Sequence, residues 1–152
     1  VARRLPLFPL SFFLTYSEQT EVTALSPHTR ILLVDDEHDL RMLVAERLGM
    51  EGYAVSEAGK VSDAMRLIEA SEYDLLLLDV RLPDGTGLDI LKFMRESGNT
   101  TPVIMLTGTT GLDIAVESVR LGARDYVTKP AKISYLLHSI RELLATDHHE
   151  TT

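Results

Sequence analysis

Asp79 closes an uninterrupted apolar run, Leu75-Leu76-Leu77-Leu78, and is followed by Pro83, Gly85 and Gly87, so a carboxylate stands where a buried strand opens into a loop. Two other apolar runs end in the same manner. Ile31-Leu32-Leu33-Val34 leads into Asp35-Asp36, and Val103-Ile104-Met105-Leu106 leads into Thr107. In an open parallel sheet the carboxyl ends of the strands meet at one rim, where ligands and chemistry gather. Lys129 belongs to the same rim. Three carboxylates crowded there repel one another and lose solvation, so they call for a compensating cation. The donors are all hard oxygens, which favours Mg²⁺, with Mn²⁺ as the alternative, over zinc or copper. Lys129 supplies a mobile point charge and Thr107 a hydroxyl, both suited to phosphate oxygens. One carboxylate can then act as nucleophile on a phosphoryl group while cation and lysine neutralise the charge spreading over its oxygens.

The elements that must carry these groups follow from periodicity. From Thr29 onward, short β-rich runs alternate with stretches of helical spacing, the pattern of βα units around a parallel sheet. Strands are expected at residues 30–34, 53–58, 73–79, 102–106 and 124–128. The second is more polar and suits an edge. The third is apolar throughout, as a central strand covered on both faces requires. Leu40, Leu43, Val44 and Leu48 mark the first helix, stopped by Gly49 and Gly52. Ala64, Leu67 and Ile68 mark the second, with Ser62 as its cap. Leu88, Leu91, Phe93 and Met94 mark the third, residues 114–121 the fourth, and Ile133, Leu136, Leu137, Ile140, Leu143 and Leu144 the fifth.

A chain of 152 residues is about one domain and can bury a core without disulfides. It holds no Cys, which excludes thiol catalysis and thiolate zinc sites. A formal charge of -8 argues against direct nucleic-acid binding, which rests on clustered Lys and Arg. Residues 1–28 differ in kind. Arg3-Arg4 precedes a short apolar stretch ending at Leu14, but Pro6 and Pro9 interrupt it and it is too short to span a bilayer. The expected organisation is an irregular N-terminal extension over 1–28, one domain over 29–146 and a polar tail over 147–152.

Four segments together carry a family resemblance: Val34-Asp35-Asp36-Glu37, the run from Leu78 through Gly87, Met105-Leu106-Thr107-Gly108, and Gly122 through Pro130. In their order and spacing they resemble the receiver domain of two-component response regulators. The resemblance implies an α/β, flavodoxin-like, doubly wound (βα)5 fold with a five-stranded parallel sheet in the order 2-1-3-4-5. It implies that Asp79 accepts a phosphoryl group from the phosphohistidine of a sensor histidine kinase or phosphotransfer protein. Asp35 and Asp36 would position Mg²⁺ with Asp79 and the backbone carbonyl of Arg81. Thr107 and Lys129 would contact the phosphoryl oxygens, Thr107 and Tyr126 would form the switch, and the peptide bond before Pro130 would be cis. Arg81 and Thr109, each two residues beyond a site residue, would tune phosphoryl lifetime. Ala131 departs from the family by replacing the aromatic common after Lys-Pro.

The function so implied is a cytoplasmic phosphorylation-dependent signalling switch that catalyses only its own phosphorylation and dephosphorylation. Its fourth helix, fifth strand and fifth helix would present the surface for a protein effector or a phosphorylation-dependent homodimer. With about seven residues after Ala145, the expectation is a receiver acting by protein contact or as a phosphorelay carrier; the alternative is the receiver piece of a longer transcription factor or hybrid kinase. A phosphatase of the haloacid dehalogenase class would need Asp-x-Asp at a strand end, and neither Asp35-Asp36-Glu37 nor Asp79-Val80-Arg81 provides it. His38, beside the acid pair, is expected to be an exposed residue at a helix start rather than a ligand.

Overall fold

A computed structural model describes residues 28–108, 111–129 and 132–150, with side chains described in the last helix as far as Thr146. The elements are β1 (Arg30–Val34), α1 (His38–Met50), β2 (Ala54–Ala58), α2 (Val61–Ala70), β3 (Leu75–Leu78), α3 (Gly87–Glu96), β4 (Val103–Thr107), α4 (Leu112–Arg120), β5 (Asp125–Thr128) and α5 (Ile133–Glu150). The five strands form one parallel sheet in the order β2-β1-β3-β4-β5, as expected, with the polar β2 at one edge and β3 in the centre.

Alternation along β1, β3 and β4 explains why these inner strands carry apolar runs. Leu32, Val34, Leu76, Leu78, Val103 and Met105 face one core, shared with Ala64 of α2 and Ile90, Leu91 and Met94 of α3. Ile31, Leu33, Leu75, Leu77, Ile104 and Leu106 face the other, shared with Val44 and Leu48 of α1 and Leu136, Leu137 and Ile140 of α5. Each of these inner-strand residues has a helix above it whichever way it points, so these positions favour apolar side chains. The register pairs Val34 with Leu78 and Leu78 with Met105. Asp35 and Asp79, one residue further along, therefore leave the sheet side by side.

Several local expectations shift. Leu43 is 62% exposed, although its spacing matches the buried Val44 and Leu48. Ser62 does not cap α2. That helix begins at Val61, and the Asp84 carboxylate accepts from the amides of Val61 at 2.7 Å and Ser62 at 3.0 Å. A cap delivered from across the fold leaves no local signal. Gly49 lies inside α1, which ends at Met50, and Gly52 takes the left-handed φ of 96° that turns the chain into β2. A two-residue antiparallel ribbon pairs Arg81–Leu82 with Gly85–Thr86, which the apolar pattern does not reveal. The last helix continues through residues 147–150, set apart above as a tail. The extension over residues 1–27 lies outside the described residues. Among the described residues no helix is long and apolar enough to cross a membrane.

Candidate functional site

Asp35, Asp79, Thr107 and Lys129 are each placed by the end of a strand. Asp35 follows β1, and its amide donates to the Ala58 carbonyl at the end of β2, at 3.0 Å. Asp79 follows β3, and its amide donates to the Val34 carbonyl at 2.9 Å. Thr107 ends β4 and is fully buried; its carbonyl accepts the Lys129 amide at 2.7 Å, which carries β5 one residue beyond its regular end. The ladder thus extends into the loops and fixes the backbones that hold Asp35, Asp79 and Lys129. Gly87 completes the mount. A Cβ there would overlap the Asp79 carbonyl oxygen and touch the Met105 methyl at 3.2 Å, so only glycine lets α3 start this close to the acid. Thr86 locks that start through a capping box with Asp89, at 3.1 and 3.0 Å.

The carboxylates of Asp35, Asp36 and Asp79 each offer an oxygen within 4.8 Å of the others. Asp35 and Asp79 are buried, at 2% and 7% exposure, while Asp36 is exposed. Such a cluster fits a hard divalent cation: all three donors are oxygens, and His38 is turned to Arg41, its Nδ1 3.2 Å from Nη2. The Lys129 ammonium donates to Asp35 Oδ2 at 2.5 Å, to Asp79 Oδ2 at 3.0 Å and to Glu37 Oε1 at 3.3 Å. Burial opposes its charge, but the bonds and charges of Asp35 and Asp79 outweigh that and push its pKa up to about 12. Burial raises the Asp79 pKa above its ordinary value, with the Asp35 charge adding to the rise and Lys129 working against it. Lys129 is what keeps a buried carboxylate ionisable beside another.

A cavity of about 920 Å³ opens over this cluster, lined by Asp36, Glu37, Asp79, Arg81, Thr107 and Lys129 among others. The structure therefore brings Asp35, Asp36, Asp79, Thr107, Lys129 and Arg81 to one place. Tyr126 is half-buried on β5, opposite Met105, and burial raises its pKa. Thr109, Pro130 with its expected cis bond, and Ala131 lie outside the described residues. Glu37 went unassigned in the sequence, where it was only part of a motif; its contact with Lys129 spans 92 positions, which no local pattern encodes. Gly87 was noted there as a loop glycine, and the close approach that requires it emerges only in three dimensions.

Residues 31–141 match the family model described as "Response regulator receiver domain". CpxR, a transcriptional regulatory protein of Escherichia coli K12, is 43% identical over 119 residues, covering 78% of this chain and 50% of CpxR. PilR, a response regulator protein of Pseudomonas aeruginosa, is 39% identical over 117 residues, covering 77% of this chain and 25% of PilR. The chain spans about half or less of the length of these relatives. Among solved structures, a CheY-like receiver domain protein from Methanospirillum hungatei superposes with a TM-score of 0.79 at 32% identity, covering 82% of this chain and 99% of that one. The NtrX receiver domain from Brucella abortus gives 0.71 at 34%, covering 76% and 98%. A family match running from β1 into α5, with the sheet order and acid-lined rim behind it, makes this chain a member of the response regulator receiver domain family of two-component signalling.

Proposed function

We propose that the domain is a phosphorylation switch in which Asp79 accepts a phosphoryl group from the phosphohistidine of a histidine kinase or phosphotransfer protein. The observation that carries this reading is the Lys129 ammonium bridging Asp35 at 2.5 Å and Asp79 at 3.0 Å beside a third carboxylate. An Asp79 oxygen attacks phosphorus, the P–N bond to imidazole breaks, and the imidazole leaves with the bond pair. The attack needs an ionised carboxylate, which Lys129 favours against burial. Lys129 then follows the charge onto the phosphoryl oxygens, and the Thr107 hydroxyl donates to one of them. Asp35, Asp36, Asp79 and the Arg81 carbonyl would hold Mg²⁺, or Mn²⁺ in its place, and the ion when bound supplies charge neutralisation for the phosphoryl oxygens. Arg81 and Thr109, each two residues beyond a site residue, would set the lifetime of the aspartyl phosphate. The chemistry is confined to the domain's own phosphorylation and dephosphorylation, in the cytoplasm.

Output follows from Thr107 moving toward the phosphate and Tyr126 packing into the space released. Tyr126 lies on β5, which packs against α4, and α4 exposes Leu112 at 76%, Val116 at 49% and Val119 at 67%, with Tyr135 of α5 at 54%. That apolar α4-β5-α5 surface suits a protein effector or a second phosphorylated copy. A second reading makes the domain one module of a longer transcription factor or hybrid kinase; matching 50% of CpxR favours it, and the phosphoryl chemistry is the same. Titration with Mg²⁺ and beryllofluoride, a phosphoryl mimic, tests the switch by NMR. Amide shifts are expected at Thr107 and Tyr126 and across α4 and the start of α5. Shifts confined to the acid loops would refute the output surface.

A further inference from the structure

Arg41, in the first turn of α1, reaches back under the acid pair. Its Nη1 donates to the backbone carbonyl of Asp35 at 2.6 Å, its Nε donates to Glu57 Oε1 at 3.0 Å, and its side chain is only 15% exposed. The carbonyl it holds belongs to the peptide that joins Asp35 to Asp36. Fixing that peptide plane fixes the directions in which both carboxylates leave the chain. Glu57 belongs to β2, whose last residue, Ala58, accepts the Asp35 amide at 3.0 Å. The acid pair is therefore held to the edge strand from two sides, by one backbone bond and by one guanidinium fork.

Gly59 makes room for the fork. Its φ is not in the left-handed region, so backbone conformation does not demand glycine. A Cβ there would instead lie 3.0 Å from Arg41 Nη1, closer than such contacts normally come. Arg41, Glu57 and Gly59 together form a support shaped around one carbonyl.

Resting on the phosphorylation reading above, we propose that Arg41 is a positioning residue for the divalent cation: it presets the Asp35-Asp36 peptide so that both carboxylates converge on one ion. A planar guanidinium with several fixed donors can serve Glu57 and the Asp35 carbonyl at once, whereas the single ammonium of lysine has no such fork. Partners behind metal ligands commonly govern metal affinity by about 10-fold to 100-fold. The contacts of Arg41 run to Asp35, Glu57 and His38 and not directly to Lys129 or Asp79, so its influence on the site passes through the Asp35-Asp36 peptide.

The test is Mg²⁺ affinity measured by NMR titration, following the Asp36 and Val80 amides in wild type, Arg41→Lys and Gly59→Ala, with a thermal melt to establish folding. Arg41→Lys is expected to weaken Mg²⁺ binding by about tenfold. Gly59→Ala, which keeps the guanidinium but displaces it, weakens binding by a smaller factor in the same direction. In both, phosphorylation by acetyl phosphate returns toward the wild-type rate as Mg²⁺ is raised. Unchanged affinity in the folded variants overturns the proposal, and Gly59→Ala alone decides the matter should Arg41→Lys fail to fold. A wild-type protein that does not bind Mg²⁺ refutes the reading of the site itself, a result distinct from loss of the Arg41 effect.

Discussion

Both ends of the sheet gather charge, but they use it differently. At the carboxyl ends of the strands, Lys129 bonds to the side chains of Asp35, Asp79 and Glu37. Every partner is an ion, and in the proposed switch each bond is exchanged when a cation or phosphoryl group arrives. At the amino ends, Arg95 donates to four backbone carbonyls: Leu121 at 2.9 Å, Gly122 at 3.2 Å, Asn99 at 2.9 Å and Thr101 at 3.2 Å. Those carbonyls close α4 and the loop between α3 and β4, where helix ends leave acceptors unmatched and favour a cation. Nothing there can be traded, because backbone dipoles neither titrate nor leave. One end is built to hold the fold, the other to change state.

Substitutions can break this contrast in order of size. Gly87→Ala should cost the most stability, about 3 kcal/mol, because the methyl would collide with the Asp79 backbone rather than with a flexible side chain. Urea unfolding measures the loss, and the surviving folded protein should phosphorylate slowly, since the acid itself is displaced. Arg95→Met should cost about 2 kcal/mol through the abandoned carbonyls, yet leave phosphorylation of the folded protein near wild type. Equal damage to phosphorylation would erase the division between the two ends.

Asp84→Ala should have the smallest effect. The bond from the Ser62 amide, with that from Val61, lowers the Asp84 pKa below its ordinary 3.8, so its stabilising contribution is present above that value and disappears as pH falls through the depressed one. The melting temperature of the variant should sit slightly below wild type at neutral pH and converge with it in acid.

The sequence made legible what is periodic or contiguous. The five strands, their edge and central places and the converging acids all follow from apolar runs and the residues that end them. The long-range contacts were hidden. Asp84 caps a helix 22 or more positions away, Glu37 reaches Lys129 across 92, and Arg41 meets Glu57 across 16. Leu43 misleads for the opposite reason: it has the right spacing but sits at the margin of the helix face that meets the sheet, and 62% of it stays exposed. Gly59 and Gly87 look like ordinary loop glycines until the atoms around them are known.

The central claim is that the carboxylate Lys129 bridges to Asp35 is the phosphoryl acceptor. Acetyl phosphate and Mg²⁺ added to wild type and Asp79→Asn, followed by intact mass, test it directly. Wild type should gain one phosphoryl group, lost again on removal of donor, and Asp79→Asn should gain none. Equal gain by the variant, or none by the folded wild type, would contradict the account.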